Sequence, residues 1–90
     1  PVTRGTFFTY SLSQPADAVS IRVYTSTGRL ARVLRDASAE RGYNETYWDG
    51  RDDDGVWLAN GVYFYKVRTE SAYLDADRTE ERVGKLVILR

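Results

Sequence analysis

The segment Trp48–Val67, WDGRDDDGVWLANGVYFYKV, decides how the chain folds. Its Asp49-Gly50, Asp54-Gly55 and Asn60-Gly61 steps supply the positive φ angles that tight hairpin turns require. After the last of them, Tyr63, Phe64 and Tyr65 favour a pleated, half-buried surface. The segment therefore reads as strand, turn, short strand, turn, long strand. Every piece of it directs the backbone, and none is a reagent.

Outward from this segment, alternation of period two recurs and no window shows a helical stripe. Thr6 to Leu12 is a first strand, closed by Ser13-Gln14-Pro15. Val19, Ile21 and Val23 alternate with Ser20, Arg22 and Tyr24, giving a strand with one apolar face. Ser26-Thr27-Gly28 turns it into a hairpin with Arg29 to Arg35. Asp36 to Gly42 reads as a polar loop with room for one helical turn. Tyr43 to Trp48 is the fourth strand, Val56 to Leu58 a short fifth and Val62 to Thr69 the sixth. The charged run Glu70 to Arg82 reads as a long hairpin arm or a mobile loop, and Val83 to Leu89 closes the domain. Seven short strands with turns about every ten residues predict an antiparallel immunoglobulin-like or fibronectin-III-like β-sandwich over residues 1–90. A five-stranded barrel is the alternative.

Composition narrows the chemistry. Ninety residues suit one domain with a radius of gyration of about 12 Å if compact. Thirteen basic and thirteen acidic residues cancel, so the chain lacks the basic footprint of a nucleic-acid binder. No cysteine means no disulfide, thiolate nucleophile or sulfur ligand. No histidine removes imidazole-based acid–base catalysis and imidazole metal sites. No apolar run approaches a membrane span. A chain that begins at Pro1 reads as a processed product or an excised domain of a larger protein.

The acids Asp49, Asp52, Asp53 and Asp54 invite a calcium reading, because hard cations need several carboxylate oxygens. An EF-hand-type loop here would need an acid at Gly50 and a glutamate at Gly61, so the spacing fails. Turn acids that bond nearby backbone N–H groups explain the cluster better. Adjacent aspartates on one turn also cannot flank a glycosidic bond. No catalytic group, metal or cofactor is expected.

Trp48, Trp57 and seven tyrosines could form a sugar-stacking platform. Tyr63 and Tyr65 share a face with Val67, however, which marks an inward row. Trp57, beside a turn, is the ring expected to be exposed, and it is the candidate carbohydrate contact of an accessory polysaccharide-binding module. The Asn44-Glu45-Thr46 sequon falls within a strand and is set aside. Leu86 to Leu89 is apolar on both pleat faces, so one face needs cover from its own domain or from a partner.

Gly28-Arg29-Leu30, Trp48-Asp49-Gly50, Gly55, Asn60-Gly61-Val62-Tyr63-Phe64-Tyr65 and Lys85-Leu86-Val87-Ile88-Leu89-Arg90 together resemble the FlgD-type Ig-like domain. The same pattern is shared with C-terminal sorting domains of proteins exported by the bacterial type IX secretion system. The resemblance implies a non-catalytic sandwich in a secreted or cell-surface protein of a Gram-negative bacterium, attached to an upstream domain. One setting is sorting by secretion or anchoring machinery, with Gly61, Tyr63, Lys85, Val87 and Arg90 as the positions carried across. The other is a spacer or flagellar hook-capping scaffold domain. The ending KLVILR favours the first setting. The long charged arm from Glu70 to Arg82 departs from the family pattern.

Overall fold

The computed structural model describes residues 5–73 and 76–89. It contains β1 (Thr6–Leu12), β2 (Ala18–Thr25), β3 (Leu30–Leu34), β4 (Gly42–Trp48), β5 (Gly61–Tyr73) and β6 (Ala76–Ile88). All pairings are antiparallel. β1 and β4 form one sheet, and the other four strands form a second in the order β3-β2-β5-β6. The result is an all-β sandwich, with no helix among the described residues.

The core lies between the two sheets. Val19, Ile21 and Val23 of β2 are buried as their alternation requires, and they meet Phe8 and Trp48 from the small sheet. β5 contributes Tyr63 and Val67, β6 contributes Ile88, and half-buried Tyr65 packs against the same cluster. The inward row Tyr63, Tyr65, Val67 is therefore as the alternation predicts. Fully burying an aliphatic side chain of this kind contributes about 1.5–3 kcal/mol.

Two sequence expectations are corrected, and one choice the sequence left open is decided. The described residues form six strands, not seven: Val56 to Leu58 forms only an isolated bridge, Arg51 to Trp57. That short segment is held inside its own loop, where Asp52 N–H donates to Val56 C=O at 2.8 Å and Leu58 N–H to Gly50 C=O at 3.1 Å. Asp36 to Gly42 forms no helical turn, because side chains of β4 take its backbone groups in another conformation. The run from Glu70 is a hairpin arm: β5 and β6 pair without a register shift from Gly61–Ile88 to Tyr73–Ala76. The arm stretches the domain to 45 × 23 × 20 Å with a radius of gyration of 13.7 Å, above the compact expectation.

Gly84 of β6 pairs directly with Tyr65 of β5. A Cβ at Gly84 would lie 2.2 Å from the Tyr65 ring, which covers the glycine and tilts against Phe8 at 4.8 Å. Gly84→Ala should therefore push the ring out of the core, costing about 1–3 kcal/mol. A thermal melt should fall by roughly 4–8 °C per kcal/mol lost.

Candidate interaction surface

Three of the four acids in the loop after Trp48 have a conformational task. Asp52 Oδ1 accepts the N–H groups of Asp54 at 3.0 Å and Val56 at 2.9 Å, which closes an Asx-type turn ahead of Gly55 at φ 82°. Asp49 Oδ1 accepts the Arg51 N–H at 3.0 Å. Arg32, reaching over from β3, fastens this loop to the sheet. Its Nη1 donates to Asp49 Oδ1 at 3.2 Å and Arg51 C=O at 3.0 Å, and its Nε lies 3.6 Å from Asp53 Oδ1. Beneath the loop, Trp48 Nε1 donates to the same Arg51 carbonyl at 3.0 Å. Among the described residues no three acids converge as a ligand set for a metal ion.

A second network ties the polar loop 36–41 to β4. Buried Asn44 accepts Ser38 Oγ–H at 2.7 Å and Glu40 N–H at 2.9 Å, and donates to Glu40 C=O at 2.8 Å and Gly42 C=O at 3.0 Å. All of its amide positions are thereby satisfied. Ser38 N–H donates to Thr46 Oγ1 at 3.1 Å, and Tyr10 donates its phenolic proton to Ser38 C=O. With that proton committed, Thr46 must supply the hydrogen of its 2.9 Å bond to Tyr10.

Burial raises the Tyr10 pKa above the usual 10.0, and the Thr46 bond offsets part of the rise. As pH climbs, the unfolded chain ionises this phenol first. Its contribution to stability is therefore complete below about pH 10 and is lost as pH passes through the raised folded value. Urea midpoints should decline above about pH 10, and Tyr10→Phe should make that alkaline decline shallower.

These networks consume the residues that resemble a reactive site. The exposed apolar residues lie elsewhere, on the outer face of the large sheet. Direct pairing places Val62 beside Val87, and Phe64 between Lys85 and Tyr24. Val62 is 40% exposed, Phe64 38% and Val87 41%, which makes a continuous apolar stripe bordered by the Lys85 cation. Lys66 extends the row, its Nζ lying 5.5 Å from the Tyr24 ring centre. Around the corner, an open groove of about 620 Å³ separates β1 from the end of β6, with Phe7 and Leu89 exposed along it.

The structure divides the sequence candidates. Lys85 and Val87 meet on the outer face, whereas Leu86 and Ile88 are half-buried and fully buried against their own domain. Gly61 opens β5 at φ 156°, and Tyr63 is 7% exposed with its hydroxyl donating to Ala59 C=O at 2.7 Å. Both shape the fold rather than the surface. Arg90 lies outside the described residues. Trp57 is 39% exposed, and the Arg51 guanidinium sits 5.2 Å from its ring centre, so a cation occupies one face of the candidate sugar platform. Trp48, Asp49, Gly50, Gly55 and Asn60 lie in or beside the turns they were expected to direct.

Sequence reading missed Arg32, Tyr10, Asn44 and Gly84. For Asn44 a signal existed: it shares an inward period-two row with Thr46 and Trp48, where an asparagine needs buried partners.

The sheets, the turn-directing acids and the patterned outer face define an antiparallel Ig-like β-sandwich domain. The chain belongs to the FlgD Ig-like domain family, whose pattern matches residues 3–72. Similar curated proteins include the basal-body rod modification protein FlgD of Salmonella typhimurium and that of Salmonella typhi, each 37% identical over 62 residues. The match covers 69% of this chain and 27% of each relative, so the chain spans about a quarter of their length. Among solved structures, FlgD from P. aeruginosa aligns with a TM-score of 0.65 at 17% identity, covering 90% of this chain and 60% of that one. Truncated FlgD from Helicobacter pylori aligns with a TM-score of 0.67 at 18% identity, covering 92% and 61%. These structural likenesses concern the fold.

Proposed function

We propose that residues 1–90 are a non-catalytic structural module of a larger exported bacterial protein, working as a FlgD-type hook-capping scaffold domain. It acts by presenting the outer face of the β3-β2-β5-β6 sheet to a neighbouring domain or subunit. The observation that carries this reading is the apolar stripe Val62, Phe64 and Val87 beside Lys85, exposed while the carboxylates of Asp49, Asp52 and Asp53 are engaged within their own loop and sheet. Apolar residues rimmed by charge suit a surface that is covered on assembly. Membership in the FlgD Ig-like family supports the setting. The test replaces the Ig-like domain of the Salmonella typhimurium relative with residues 1–90 and scores hook assembly. Hooks should form. A chimera that is produced and exported but builds no hooks contradicts the scaffold reading.

A second reading, sorting by export or anchoring machinery, is favoured by one observation. The segment that exposes Lys85 and Val87 lies beyond the family match, which ends at residue 72. Deleting the strand would remove fully buried Ile88 and test folding instead, so point changes are the informative ones. Fused to a reporter in a host with type IX secretion, residues 1–90 should direct export, and Lys85→Ala with Val87→Ala should reduce it. Export that is absent, or indifferent to both changes in folded protein, removes this reading.

A further inference from the structure

The large sheet has two edges, and the structure treats them differently. At β3 the acid loop covers the edge: Asp53 N–H donates to Ala31 C=O at 3.0 Å, and Val33 N–H donates to Asp53 Oδ1 at 3.2 Å. At β6 nothing comparable occurs among the described residues, and its sole strand partner is β5. β6 is 13 residues long, contains no proline and pairs with β5 without a bulge. A long, regular, uncovered edge is a template for another strand.

We infer that this edge pairs antiparallel with β6 of a second copy, about a two-fold axis through Val83. The charges argue for a second copy as the occupant and favour one register, since a pairing centred on Gly84 opposes no like charges but gains no opposite-charge pair. An axis perpendicular to the sheet places each residue opposite one on the same pleat face, so the central residue meets itself. Centred on Glu81, Arg82 or Lys85, the pairing would oppose like charges directly, Glu81 to Glu81, Arg82 to Arg82 or Lys85 to Lys85. Centred on Val83, it opposes Glu81 to Lys85 twice, Val83 to Val83 and Thr79 to Val87. On the other face Arg82 meets Gly84 and Glu80 meets Leu86, with no like-charged pair.

The neighbouring strand reinforces this register. Arg68 of β5 pairs with Glu81, so charges would alternate Arg68, Glu81, then Lys85 of the second copy. Thr79, Glu81, Val83, Lys85 and Val87 are all exposed, and Val83 is 67% exposed, an unusual position for an isolated valine on a charged strand. The charged residues that guard this edge against general pairing become complementary in one arrangement. The pairing uses β6 alone and does not depend on which host protein carries the domain.

Sedimentation of the native chain and three variants tests the proposal, with circular dichroism confirming the fold of each. The native chain should form a concentration-dependent dimer. Glu81→Lys and Lys85→Glu should each weaken it at least about tenfold, by replacing two attractive pairs with two repulsive ones. The double charge swap should restore it. Since the chain lacks cysteine, a single Val83→Cys chain should also oxidise to a covalent dimer faster than a Thr79→Cys chain, whose new residue faces Val87. The proposal is overturned by a native chain that stays monomeric at about 1 mM, by single variants that dimerise like the native chain, by a double swap that fails to restore pairing, or by faster cross-linking at position 79.

Discussion

Trp48→Ala should lower stability by about 4–6 kcal/mol, a large part of what a domain of this size commands. The side chain is fully buried and stacks on Phe8 with ring centres 5.9 Å apart. Its loss leaves a cavity where the two sheets meet, at about 3–5 kcal/mol, and removes the indole bond to Arg51 C=O, at about 1 kcal/mol. That carbonyl also accepts from Arg32, so the same substitution loosens the acid loop from below while Arg32 holds it from the side. The melting temperature should drop by roughly 20–30 °C, or the chain should fail to fold. Trp48→Phe should keep most of the volume, lose the hydrogen bond and cost about 1–2 kcal/mol. If Trp48→Ala melts within a few degrees of the native domain, the indole does not anchor the core between the two sheets.

Asn44→Leu should cost about 2–4 kcal/mol although it conserves volume and adds apolar surface in a buried position. Asn44 is 2% exposed, and its amide makes all four bonds to Ser38, Glu40 and Gly42. Leucine would leave those partners to find water at the margin of the core, which limits the cost to less than four full desolvations. The Glu40 amide should lose its protection from hydrogen exchange, while the β2–β5 ladder keeps its own. An unchanged melt would mean that the loop 36–41 does not depend on the asparagine.

How far the sequence could be read follows from what each segment packs against. β1 was legible to the residue, and the apolar face of β2 was legible from alternation, because both strands have one wet and one dry side. The β5–β6 arm was ambiguous because residues 79–83 are exposed on both faces, which erases the period-two pattern and leaves a charged run. Val56 to Leu58 has strand-like residues, but a loop closed by Asp52 has no room to pair them with a sheet. The roles of Arg32 and Gly84 lie in contacts with residues distant along the chain, Arg51 and Tyr65, which local pattern cannot carry.

The same distinction governs the surface. The acids and tryptophans of Trp48–Val67 are prominent in sequence because turns and cores need unusual residues. Lys85 and Val87 are ordinary residues made conspicuous by their neighbours, Phe64 and Val62. Fold is thus concentrated in one segment, while the proposed contact face is spread over adjacent strands.

The central claim is that this outer face, not the acid loop, is what the domain offers to its assembly. Its most direct test is the domain-replacement chimera carrying Val62→Lys together with Val87→Glu. The two positions are directly paired, so the new charges compensate within the sheet and the domain should melt within a few degrees of the parent. Hook assembly should be lost although the chimera is produced and exported. Hooks assembled at the parent level by this folded variant would contradict the account.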